Sequence, residues 1–188
     1  MKLQSPTLNV DTGFLNDARI MSSPRYDERP FPGEISLLVI HGISLPPGDF
    51  QGAAIDDFFC NRLDYRAHSY FQQLKNIKVS AHALIRRDGA VTQYVSFLKR
   101  AWHAGKSSFN GRKNCNDYSI GIELEGVDDI SYTELQYRFL AAITQCLMRH
   151  YPLVTTSRIV GHCDIAPGRK SDPGSAFDWN YYQQLLIR

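Results

Sequence analysis

The chain has 188 residues, 43% of them hydrophobic and 21% charged, enough for one globular domain with a sizeable core. Twenty-one basic against nineteen acidic residues leave a net charge of +2, which argues against a nucleic-acid surface, and nowhere do the ~18 apolar residues of a membrane span occur in a row. Cys60, Cys115, Cys146 and Cys163 are scattered without C-x-x-C spacing, so the expectation is reduced thiols rather than a zinc knuckle or a disulfide framework.

The first thirty residues carry no apolar run of signal-peptide length, which predicts an unexported, cytoplasmic protein. Up to Glu34 the sequence is polar and contains Pro24, Pro30 and Pro32, predicting an N-terminal arm over 1–34 that wraps a domain spanning 35–188. "ISLLVIH", Ile35–His41, is a continuous apolar run, as expected for a strand covered on both faces and ending at His41. One or two short helices are expected between Ala54 and Leu74. "VSAHALIRRDGAVTQYV" reads as two strands joined at Asp88-Gly89, a dipeptide that tolerates the positive φ of a hairpin turn.

A polar loop from His103 to Asp117 leads into "SIGIELEG". There Ile120, Ile122 and Leu124 face one way while Gly121, Glu123 and Glu125 face the other. Thr133 to His150 is predicted as the strongest helix, opened by a Thr133/Gln136 capping box, with Leu135, Phe139, Ala142, Ile143, Cys146 and Leu147 as its apolar stripe. A short strand over Arg158–His162 and a last helix from Asp178 to Leu186 follow. Four or five strands with an evident hairpin and interspersed helices predict a single α/β domain, a mixed central β-sheet flanked by α-helices.

Near the end, "IVGHCDIAPGRKSDPG" crowds His162, Lys170 and Asp172 into one loop. A surface salt bridge between Lys170 and Asp172 is the plain reading of that stretch alone. Yet His41 and His162 both end predicted strands, and strand ends on one sheet edge can meet. With Asp172 they make three ligands suited to catalytic zinc, which leaves its fourth position to water; a pair of hydrogen-bonded rim histidines is the alternative. Beside a metal, Lys170 could stabilise an oxyanion and Glu123 could take a proton from water. A glycosidase built on Glu123 and Glu125 fits less well, because residues two apart on one strand lie on a single side of a substrate.

"LLVIHGISLPPGDFQG", "VSAHALIRRDGAVTQYVSFLKRAWHAG", "CNDYSIGIELEG" and "GHCDIAPGRKSDPGSAFDW" together resemble the AmpD-type N-acetylmuramoyl-L-alanine amidases of bacterial cell-wall recycling, over roughly Ser23 to Trp179. More distantly the chain is similar to the superfamily that includes peptidoglycan recognition proteins. The resemblance implies one Zn2+ on His41, His162 and Asp172, with Glu123 acting on water and Lys170 stabilising the tetrahedral intermediate. It implies hydrolysis of the amide between (1,6-anhydro-)N-acetylmuramic acid and L-alanine of a small muropeptide in the cytoplasm; a monomer with no nucleic-acid or membrane partner is expected. A non-catalytic muropeptide-binding module is the alternative. Tyr70, Lys78, Trp102, His103 and Lys113 are the candidate substrate contacts. Relatives commonly carry an arginine just before "CND", where this chain has Asn114, and the wider superfamily often has a tyrosine where Ala81 stands.

Overall fold

The computed structural model describes residues 6–50 and 52–187. Six strands form the main sheet: β1 (Arg19–Ile20), β2 (Leu37–Ile43), β3 (Ala83–Ile85), β4 (Val91–Gln93), β5 (Ser119–Glu125) and β6 (Ile159–Gly161), in the order β6-β2-β5-β3-β4-β1. All neighbours run parallel except the β3–β4 hairpin. Its turn closes where expected, with Gly89 at φ +85, a conformation that glycine adopts without steric cost. A β-carbon there would also run into the Phe139 ring.

Among the described residues, five α-helices accompany the sheet: α1 (Ala54–Phe59), α2 (Ser69–Gln72), α3 (Glu134–His150), α4 (His162–Ile165) and α5 (Trp179–Ile187). The Thr133/Gln136 capping box opens α3 as expected. Its buried face is rotated from the predicted stripe, however: Leu135 is 42% exposed while Gln136 is fully buried. The reason is polar. The Gln136 amide donates to the carbonyls of Ile85 and Glu125, 3.2 and 3.0 Å away, and so ties α3 to the ends of β3 and β5.

β2 and β5 are buried along both faces, and the expected alternation divides them. Leu38, Ile40, Ile120, Ile122 and Leu124 pack under α3 and α5, against Leu140, Ile143, Leu147 and Tyr182. Each such aliphatic contributes ~1.5–3 kcal/mol by leaving water. The opposite face, at odd-numbered positions, carries the polar groups described below. All four cysteines are free, and Cys146 is core as its helical position predicts.

Residues 6–34 differ from a surface-wrapping arm, residues 1–5 of that expected arm lying outside the described residues. Leu8 and Leu15 belong to the main core, and β1 extends the sheet beyond β4. Arg29, only 4% exposed, fills a socket of backbone carbonyls: its guanidinium donates to Phe97, Asn116, Asp117 and Ser119 oxygens at 2.8–3.3 Å. Burial lowers its pKa to about 10, so it remains charged at neutral pH. These four acceptors flank the approach to β5, and unpaired buried acceptors cost about 1–3 kcal/mol each. Arg29→Leu is therefore expected to lower unfolding free energy by about 3–5 kcal/mol in denaturant titration; a loss under 1 kcal/mol would show that water replaces the guanidinium.

Candidate metal centre and cleft

β2 runs two residues past His41, so His41 sits inside the strand rather than at its end, level with Glu123 of β5 in the parallel register. Neighbouring strands lie ~4.8 Å apart, so the imidazole and the carboxylate emerge side by side on the face away from α3. His162 likewise departs from expectation: β6 stops at Gly161, and His162 is the first residue of α4. Asp172 comes back to it through the following loop, where the Cys163 backbone N–H donates to the Asp172 carbonyl at 3.0 Å.

Three atoms converge there. His41 Nδ1 and His162 Nδ1 are 3.0 Å apart, and each lies 3.1 Å from Asp172 Oδ2. Among the described residues this is the cluster of His, Cys and acidic side chains that could hold a metal ion. Zinc binds such donors at about 2.0–2.2 Å, which sets tetrahedral ligand atoms about 3.3–3.5 Å apart. The near-equilateral triangle is thus within a few tenths of an ångström of one face of that tetrahedron. Two neutral nitrogens and one carboxylate also match zinc's donor preferences. The residues fit the ion.

The electrostatics agree. Burial lowers the His41 pKa to about 4, so the ring is neutral at pH 7. Burial alone would push the Asp172 carboxyl up, but hydrogen bonds from His162 and His41 outweigh it and hold the group well below the usual carboxylate range. Glu123 is the opposite case. Burial, with the Asp172 charge nearby, raises its pKa well above the ordinary value, and the Lys170 ammonium only partly offsets this. Its Oε2 is buried without a hydrogen-bond partner. Glu125, on the same face, instead pairs with Arg86 at 2.7 Å and accepts from the Arg87 N–H at 3.2 Å.

These groups open onto a cleft of about 900 Å³. Its lining includes the apolar Phe58, Leu74 and Tyr70 ring as well as the polar Asp128, Arg169 and Lys170. Of the predicted substrate contacts, Tyr70 and His103 reach the cleft, His103 as a buried ring behind His41. Lys78, Trp102 and Lys113 fall outside its lining. Lys78 is exposed beside it, the Trp102 indole donates to Asp27 at 2.7 Å, and Lys113 sits on an exposed hairpin with Ser108. Several residues went unforeseen. Tyr132 donates to the Pro173 carbonyl at 2.9 Å, directly after Asp172. Asn116 and Ser119 support His103, and for Ser119 the period of two that marks Glu123 was the available signal.

The family model for N-acetylmuramoyl-L-alanine amidases, Amidase_2, matches residues 31–175. The chain belongs to the N-acetylmuramoyl-L-alanine amidase family. It is 53% identical to the 1,6-anhydro-N-acetylmuramyl-L-alanine amidase AmpD of Haemophilus influenzae, across 93% of this chain and 95% of that one. Identity to AmpD of Escherichia coli K12 is 52%, across 95% and 97%. Its fold matches a crystal structure of a selenomethionine AmpD derivative at a TM-score of 0.92 and 53% identity, covering 95% of this chain and 99% of that one. A more distant match, at 28% identity and a TM-score of 0.59, is Escherichia coli AmiD in complex with anhydro-N-acetylmuramic acid-L-Ala-D-γ-Glu-L-Lys, covering 96% and 65%. The expected fold class, a mixed sheet flanked by helices, holds for this amidase.

The buried Glu123 of the amidase makes its metal-free stability fall as pH rises. An unfolded glutamate titrates near ~4.3, whereas the folded one keeps its proton to a higher pH. Between the two values the folded state binds more protons, so the stabilisation present at low pH is lost with increasing pH. Metal-free Glu123→Gln is expected to melt above the parent at pH 7–8, by about 2–4 °C per kcal/mol, and level with it near pH 4. Parallel melting curves across this range would show that Glu123 ionises without penalty.

Proposed function

We propose that this amidase is a zinc-dependent hydrolase that cleaves the amide between the lactyl group of 1,6-anhydro-N-acetylmuramic acid and L-alanine, releasing sugar from stem peptide. One observation carries the reading: the three-donor triangle of His41, His162 and Asp172 lies beside a carboxylate, Glu123, that is buried and unpartnered. The names of the relatives support the substrate class, since AmpD is a 1,6-anhydro-N-acetylmuramyl-L-alanine amidase and AmiD is seen with an anhydro-muropeptide. The cytoplasmic, wall-recycling setting rests on the resemblance to the AmpD-type branch.

In this reading His41, His162 and Asp172 hold the ion, which when bound supplies Lewis acidity toward water and the amide carbonyl. Glu123 takes the proton of the attacking water at its free oxygen and passes it to the departing alanine nitrogen. A carboxyl with a raised pKa suits both halves of that task, because a proton carrier works best near the operating pH. Lys170, at the exposed rim, donates to the oxygen that becomes negative as the carbonyl turns tetrahedral. The apolar lining residues provide a surface for the sugar's less polar face, and Arg169 and Lys170 supply positive charge toward the acidic stem peptide.

Mass spectrometry of 1,6-anhydro-N-acetylmuramyl tripeptide after incubation is expected to reveal free sugar and tripeptide, to lose both products with a chelator and to regain them with zinc. Lys170→Ala is expected to retain zinc while kcat falls ~10²–10³-fold, and Asp172→Ala to lose zinc and activity together. Intact substrate from folded, zinc-loaded protein would favour a binding module; cleavage indifferent to chelator would remove the metal from the mechanism.

A further inference from the structure

The distal nitrogens of both histidine ligands end on one two-residue segment. His41 Nε2 lies 2.9 Å from His103 Nδ1, and His162 Nε2 lies 3.4 Å from the Ala104 carbonyl. That segment is itself held from behind. Asn116 Oδ1 accepts from the backbone N–H groups of His103 and Ala104, at 3.1 and 2.7 Å, and Arg169 donates to the Ala104 carbonyl at 2.7 Å. His103 Nε2 in turn lies 3.0 Å from Ser119 Oγ on β5.

Apart from Arg169, which reaches in from the surface, the arrangement is buried: His103 is 7% exposed and Ser119 not at all. The His103 ring meets His41 edge-on, with centroids 5.0 Å apart at 87°. It lies directly over Gly121, where a β-carbon would overlap the imidazole. The glycine in "SIGIELEG" therefore has a function beyond the strand: it makes room for His103 between Ser119 and Glu123.

The hydrogen-bond polarity follows from the ligand. A neutral imidazole has one donor and one acceptor nitrogen. If His41 offers Nδ1 to a metal, its proton resides on Nε2 and needs an acceptor, which His103 Nδ1 supplies. His103 then carries its own proton on Nε2 and donates to Ser119 Oγ.

We propose that His103 is a positioning residue of the metal centre: it fixes His41 in the tautomer and ring orientation that present Nδ1, with Ser119 as the terminal acceptor. This rests on the zinc reading above, and it replaces a role for His103 in holding substrate, because both ring nitrogens are already engaged.

The test is zinc affinity, measured by competition with a chromophoric chelator. It covers the full-length parent protein, His103→Leu, His103→Asn and Ser119→Ala. Loss of an outer partner of a metal ligand typically costs about 10–100-fold in affinity, and that is the loss expected for His103→Leu. Asparagine places an amide oxygen where Nδ1 stood, so His103→Asn is expected to stay within about threefold of the parent. Parental affinity in His103→Leu, or an equal loss in His103→Asn, overturns the proposal, the latter by showing that ring volume and not the acceptor matters. Should His103→Leu fail to fold, Ser119→Ala decides: a severalfold loss sustains the relay, and unchanged affinity overturns it. A parent that binds no zinc would instead bring down the metal reading, so the two failures are distinguishable.

Discussion

The parallel pairing of Leu37–Ile43 with Ser119–Glu125 is the constraint on which both core and site depend. Its register sets His41 level with Glu123 and Val39 level with Gly121. Side chains alternate strictly, so a slip of one residue would carry Glu123 into the apolar layer under α3 and bring Ile122 to the metal donors. The register is held by the aliphatics that fill that layer and by Gln136, whose amide bridges the ends of β3 and β5. Packing energy that any α/β domain would gain thus also aligns the reactive face to within a strand spacing.

On that face the fold treats two neighbouring acids differently. Glu125 is drawn into a network in which Arg86 also meets Asp56 at 3.2 Å and Asp56 accepts from the Tyr94 hydroxyl. Glu123, two residues earlier, has an oxygen with no partner. Leaving a buried acceptor unpaired costs about 1–3 kcal/mol, and native folds tolerate such violations mainly where a group has to react. Partnered, Glu123 would be a weaker base; with Glu125 unpartnered as well, two carboxylates would compete for one proton. The Arg86 ion pair is therefore part of what singles out Glu123.

Much of this was legible in the residues. The apolar run at 37–40, the alternation at 119–125, the Asp-Gly turn and the capping box depend on neighbours within a few positions, and each appears in the structure. The local pattern misled where distant partners decide. Gln136 turns inward, against helical hydrophobicity, because carbonyls on two other elements await its amide. Polar composition concealed the burial of Arg29, whose acceptors lie 68–90 residues away in sequence. His103 stands beside Trp102 in a polar loop and looks like a residue that meets ligand from solvent. Only the folded chain sets it behind His41. Strand boundaries also moved, to Ile43 and Gly161, without disturbing which residues meet.

Asp172 shows how a carboxylate 131 residues from His41 in sequence is kept beside it. Its carbonyl accepts from Cys163 at the start of α4, and the next carbonyl, that of Pro173, accepts from Tyr132 on the other side of the sheet. Tyr132 reaches there because positions 42 and 126 lack the β-carbons that would collide with it. Two successive carbonyls that follow the Asp172 side chain are thus tied to two separate elements. Two residues earlier Lys170 is exposed, and Ser171 with it. The loop is therefore anchored at Asp172, the proposed metal donor, and exposed at Lys170, whose long, flexible ammonium arm the proposed mechanism asks only to follow a developing charge. That division suits the proposed zinc reading, in which the fold sets the geometry of the three donors while the ammonium adapts to the bound substrate.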